Sequence, residues 1–173
     1  MTASSSWRFT RGFTLLELVI TIAVLALLIT ITAPSISETI RNNQIAAQNN
    51  ELIALINLAR NEAVRRNIAE GENGVQVILT NTSGGWDGLV VIPSGAADED
   101  LDCDVDGAIR CSSLSDATLS RDEVTLEFNN RGYLNPFQPV NFSLTHKKCS
   151  TRRQARAISI TGVGQVESAP TNC

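Results

Sequence analysis

From Phe13 to Ala33 the chain is apolar almost without a break, and after Pro34 it changes to a mixed pattern. That run of 21 residues is about the length needed to span hydrocarbon as a helix. Beyond Pro34 the period becomes helical: Ile45, Leu52, Ile56, Ala59 and Ala63 recur at intervals of three, four or seven and predict one apolar stripe, widened by Ile53 and Leu55. Arg60, Glu62, Arg65 and Arg66 fall on the polar side, with Glu62 and Arg66 at a favourable i,i+4 spacing. Gly71 and Gly74 end the pattern. A helix from Phe13 to about Ile68 would be roughly 80 Å long.

The period then falls to two. Strands are expected at GVQVILT (74–80), WDGLVVIP (86–93), VTLEFNN (124–130), VNFSLTH (140–146) and ARAISIT (155–161), with NTSGG as a turn and GVGQVES as a closing hairpin. Trp86, Phe128, Tyr133 and Phe142 fall in this part, where core packing is the default. The Asp/Ser/Gly-rich stretch 94–122 reads as a long acidic insertion loop. No βαβ alternation appears. The pattern therefore predicts an α+β fold: a long N-terminal helix, membrane half then amphipathic half, packed on a C-terminal antiparallel β-rich domain.

One residue in the apolar run is out of place. A carboxylate at Glu17 costs roughly 2.5–3.5 kcal/mol at a bilayer centre and less near an interface. The run also exceeds the 7–15-residue core of a cleavable secretory signal. RGFTLLE (11–17) resembles the type IV prepilin signature: a short basic leader, a glycine, a phenylalanine, and a glutamate fifth in the mature chain. That resemblance implies that a prepilin peptidase cuts between Gly12 and Phe13 on the cytoplasmic side and methylates the new Phe13 amine. It gives Glu17 a role as the ion-pair partner of a neighbouring subunit's amine, which selects register because a low-dielectric pair is favourable only when complete. Pro34, residue 22 after the cut, stands where pilins commonly carry a kinking proline.

LARNEAVRRN (58–67), WDGLVVI (86–92), LEFNNRG (126–132) and RRQARAISITGVGQVES (152–168) are similar to the FimT/FimU minor pilins and the related GspH-type pseudopilins. The resemblance implies three segments: a cleaved leader at 1–12; a helix over 13–70 whose residues 13–33 form the transmembrane segment and filament core; and a β-rich domain over 71–173. It implies an inner-membrane protein with a periplasmic domain that later joins a surface filament. Its partners would be other minor pilins and the major pilin, and its role that of a minor pilin in the initiation or tip complex. Two alternatives stay open, a DNA receptor in natural transformation and a pseudopilin of type II secretion.

Formal net charge is −4, and losing Arg8 and Arg11 with the leader takes it to −6. An acidic body disfavours non-specific nucleic-acid binding except at a local basic patch. Such a run exists in HKKCSTRRQAR: Lys147, Lys148, Arg152, Arg153 and Arg156 are the candidate DNA contacts. Where DNA-binding FimT members carry a Gly-Arg-x-Arg-like tail, this chain reads Gly164, Gln165, Val166, Glu167, which removes both arginines.

All four cysteines, Cys103, Cys111, Cys149 and Cys173, lie beyond the apolar run, and none forms a Cys-x-x-Cys pair. Two disulfides in an oxidising compartment fit better than zinc. Of three connectivities, Cys103–Cys111 with Cys149–Cys173 is favoured, because the first closes a short loop and the second pins the C-terminus. Asp102, Asp104, Asp106 and Gly107 match the opening of a calcium loop, but the position of the bidentate glutamate holds Ser113, so any calcium site should be weak. Asp98, Glu99, Asp100 or Asp116 are the substitutes at hand. No other cofactor is expected. The sole histidine, His146, beside a basic run, reads as a surface residue. No nucleophile elbow, P-loop or dinucleotide fingerprint is present, so the sequence points away from an enzyme.

Overall fold

The computed structural model describes residues 13–67, 74–92, 107–150 and 152–173, and at 31–35 and 152 the backbone only. It divides into two units, Met1–Thr39 and Ile40–Cys173. Helix α1 (Leu15–Arg66) contributes to both.

In the first unit, every described side chain from Phe13 to Thr30 is exposed. Thr14 caps the helix: its hydroxyl accepts the Glu17 N–H at 3.2 Å, the Thr-x-x-Glu spacing of a capping box. The threonines inside the apolar run are satisfied locally, Thr21 donating to the Leu18 carbonyl at 2.8 Å and Thr30 to that of Leu27 at 2.7 Å. Among the described residues no helix is long and apolar enough to cross a membrane. The side chains at 31–35 are outside the described residues, so the span expected at 13–33 lies only partly within them and the side chain of the proline at 34 does not.

In the second unit the predicted stripe is the core. Ile45, Leu52, Leu55, Ile56, Ala59 and Ala63 of α1 are fully buried in one apolar cluster with both sheets. The first sheet has the order β3-β2-β1-β5, from β1 (Val75–Asn81), β2 (Gly85–Val91), β3 (Ala108–Ser115) and β5 (Glu123–Phe128). The second has the order β4-β6-β7-β8, from β4 (Ala117–Leu119), β6 (Val140–His146), β7 (Ala155–Ile160) and β8 (Val166–Pro170). All pairings are antiparallel. Alternation puts Val75, Val77 and Leu79 of β1 inward, with Val124, Leu126 and Phe128 of β5 and Phe142, Leu144 and Ile158 of the other sheet. The helix approaches closely at Gly88, where a Cβ would lie 2.6 Å from Leu55 Cδ1.

Three expectations are corrected. Residues 108–115 and 117–119, read as part of a loop, form β3 and β4. β3 is an edge strand whose positions are half-buried or exposed, so its serine-rich sequence carries no apolar alternation. Tyr133 is not in the core: it is 37% exposed in a turn and packs edge-on against Phe137 at 5.8 Å. His146 is buried rather than on the surface, only 4% exposed. As the last residue of β6 it keeps the inward phase of Phe142 and Leu144.

Candidate functional site

The assembly element expected from the sequence is the start of α1. Gly12, on one side of the expected cut, lies outside the described residues; Phe13 and Thr14 lead into the helix and Glu17 stands in its first turn. The exposed helix presents Phe13, Leu15, Leu16, Leu18, Val19 and Ile20 around the single carboxylate. An apolar surface of this length is not stable in water. It needs lipid or neighbouring helices around it, and a carboxylate in such surroundings is favourable only when it is paired. The side chain of Pro34, and with it the expected kink, is outside the described residues.

The basic run sits where four segments meet. Arg41 Nη1 donates to the Lys148 carbonyl at 3.3 Å, Lys147 Nζ to the Ser83 carbonyl at 2.6 Å, and the Lys147 N–H to the Asp116 carbonyl at 2.9 Å. The run is thus wound into a turn after β6. Lys147, Lys148 and Arg153 are exposed, whereas Arg156 is half-buried with an inward Nε that has no partner among the described residues. The Arg152 side chain is outside the described residues. The five cations expected to form one patch therefore do not all face solvent.

Cys149 pairs with Cys173 across 24 residues, with 5.7 Å between Cα atoms, so the C-terminus is pinned to this turn. Cys111 is also disulfide-bonded; its expected partner Cys103 lies outside the described residues. So do Asp102, Asp104 and Asp106 of the calcium reading. Among the described residues no cluster of three metal-ligating side chains occurs.

Sequence reasoning missed a polar row on α1. Gln48 Oε1 accepts the buried Trp86 indole N–H at 3.0 Å while its Nε2 donates to the Ser115 carbonyl. Gln44 meets the His146 ring at 3.2 Å, Asn49 accepts the Ser168 hydroxyl at 2.7 Å, and Glu51 pairs with Arg110 at 2.7 Å. Gln48, Asn49 and Glu51 interrupt the apolar stripe between Ile45 and Leu52, with Gln44 just before it, which is the signal that was there to read. Burial pushes the His146 pKa down, with Asp116 opposing and Arg41 and Lys148 reinforcing.

A family model described as the prokaryotic N-terminal methylation motif matches residues 7–33. Another, the Type II transport protein GspH, matches residues 48–164. No curated protein sequence matches the chain. Among solved structures, the type IV minor pilin FimU of Pseudomonas aeruginosa (strain PAO1) is similar in two crystal forms. The P21 form is 20% identical with a TM-score of 0.53, over 74% of this chain and 90% of that one. The P65 form is 18% identical with a TM-score of 0.49, over 70% and 89%. The P21 likeness supports a shared fold, a long helix on antiparallel sheets. The methylation motif implies processing by a prepilin peptidase, anchoring in the inner membrane and assembly with other pilins. Together with the match over most of the β-rich part, it means that this chain belongs to the GspH family of minor pilins and pseudopilins, structural subunits rather than enzymes.

Proposed function

We propose that the chain is a minor type IV pilin, a subunit of the pilus initiation or tip complex that supports filament assembly. The observation that carries this reading is the exposed run Phe13–Thr30, apolar but for its three threonines, with Glu17 as its one charge. A prepilin peptidase would free the Phe13 amine, and Glu17 of one subunit would pair with the amine of the next. Apolar contact supplies the affinity and the ion pair the register. Adhesion, twitching motility and DNA uptake are the activities such a filament serves.

A second reading, a pseudopilin of type II secretion, is favoured by the description of the family that matches residues 48–164. Sheared surface filaments and membranes from cells producing the tagged full-length chain separate the two. The pilus reading expects mature chain, cut after Gly12, in the filament fraction and reduced piliation in a deletion strain. Normal piliation in the deletion strain, with a secreted protein retained in the periplasm, would overturn it in favour of the second.

A further inference from the structure

His146 is the only histidine in the chain, and both of its ring nitrogens are engaged. Nδ1 accepts the Lys148 N–H at 2.9 Å, so the ring proton sits on Nε2, which points to Gln44 Oε1 at 3.2 Å. The ring thereby bridges α1 to the turn that carries Lys147, Lys148 and Cys149. The same turn is tied to α1 through Arg41, to the β1–β2 turn through Ser83, to Asp116 beside β4, and to the C-terminus through Cys173. Asp116 is itself held at φ +68°, an uncommon conformation for a residue with a side chain.

We propose that His146 is a protonation-sensitive latch that holds the basic turn and the disulfide-anchored C-terminus onto helix α1 and releases them on mild acidification. A second ring proton would sit on Nδ1, where it faces the Lys148 N–H: a donor meets a donor and the bond is lost. Charged groups of both signs surround the ring, Asp116 first among them. Arg41 from α1 and Lys148 from the turn repel that proton, and Asp116 from the β3–β4 bend attracts it. Lys147 is directed to Ser83. The β6–β7 register brings Arg156, a further cation, opposite Leu144, and Gln154, fully buried, stands just before β7. Burial adds the largest penalty to the charged ring.

The sign follows from linkage. A histidine whose folded pKa lies below its unfolded value of about 6.5 binds its proton more readily in the unfolded chain. Its contribution is complete above that value and is lost as pH falls from there toward the folded pKa. Histidine is the side chain whose ordinary pKa lies between pH 5 and 8, and the chain has one.

The test uses the full chain in detergent micelles with ¹⁵N-histidine, which yields a single pair of ring signals to follow by NMR. At neutral pH the shifts should report the Nε2–H tautomer. On acidification the ring should titrate below the ordinary histidine range, and exchange protection of the Lys148 amide, corrected for intrinsic rate, should fall about tenfold or more across the same titration. In His146→Gln that step should disappear. Titration at or above the ordinary value, the opposite tautomer, or unchanged Lys148 protection from pH 7 to 5 in the unmutated chain would overturn the proposal, whether or not the variant folds.

Discussion

Gly164 has φ +78°, and a Cβ built there would lie 2.4 Å from the carbonyl oxygen of Gly132. Arg60 Nε donates to that same carbonyl at 3.2 Å, so the β7–β8 turn, the turn after β5 and α1 meet around two glycines. Gly164→Ala should destabilise the domain by roughly 2–4 kcal/mol, because left-handed backbone and a backbone clash add. Gly84→Ala is the control: nothing lies within 4 Å of its Cβ and its φ is ordinary, so the change should stay within about 0.5 kcal/mol. Equal denaturant midpoints for the two variants would refute the junction. At the other end of the chain, Glu17→Ala should leave cleavage and membrane insertion intact but reduce incorporation into filaments, read by immunoblot of the sheared fraction. Normal incorporation would show that the ion pair is dispensable.

At the scale of elements, the Cys149–Cys173 bond closes a loop spanning β7 and β8. In the chain-entropy model a loop of that size contributes roughly 3–3.5 kcal/mol. The double change Cys149→Ser with Cys173→Ser should therefore lower stability by about that amount and first expose the edge strand β8 to protease. A variant as stable and as protease-resistant as the parent would show that β8 is held by its pairing with β7 and by the Ser168–Asn49 bond alone. Helix α1 ends at Arg66, followed by Asn67 at φ +49°, the left-handed backbone that closes a helix. In that last turn hydrogen bonds from Arg65 and then Arg66 hold the Glu62 carboxyl below its usual range, and the two cations suit the helix C-terminus.

For the whole molecule, an acidic body with its cations partly drawn inward should bind nucleic acid poorly. The full chain in micelles, mixed with duplex DNA over a salt series, is expected to give no salt-dependent gel shift at micromolar protein. Arg156 turns its Nε inward, and the last turn carries Gln165 and Glu167 where a receptor would carry arginines. Clear binding that weakens steeply with salt would mark the chain as a DNA receptor, because each phosphate contact releases counterions.

The amphipathic stripe of α1, the inward positions of β1, β5 and β6, and the prepilin-like start were legible because each rests on local periodicity or on a short run of residue types. Such patterns survive in one dimension: a helix or strand with one dry face must repeat that face along the chain. The 149–173 pairing was favoured because it pins the C-terminus, although sequence left three connectivities open. β3 was invisible, since an edge strand without a dry face has no pattern to show. The inward ring of His146, the Gln48–Trp86 bond and the contact between Gly132 and Gly164 join residues between 32 and 102 positions apart. No local rule encodes such meetings. They exist only once both sheets have closed on the helix, because burial is then what demands that each polar group find its partner.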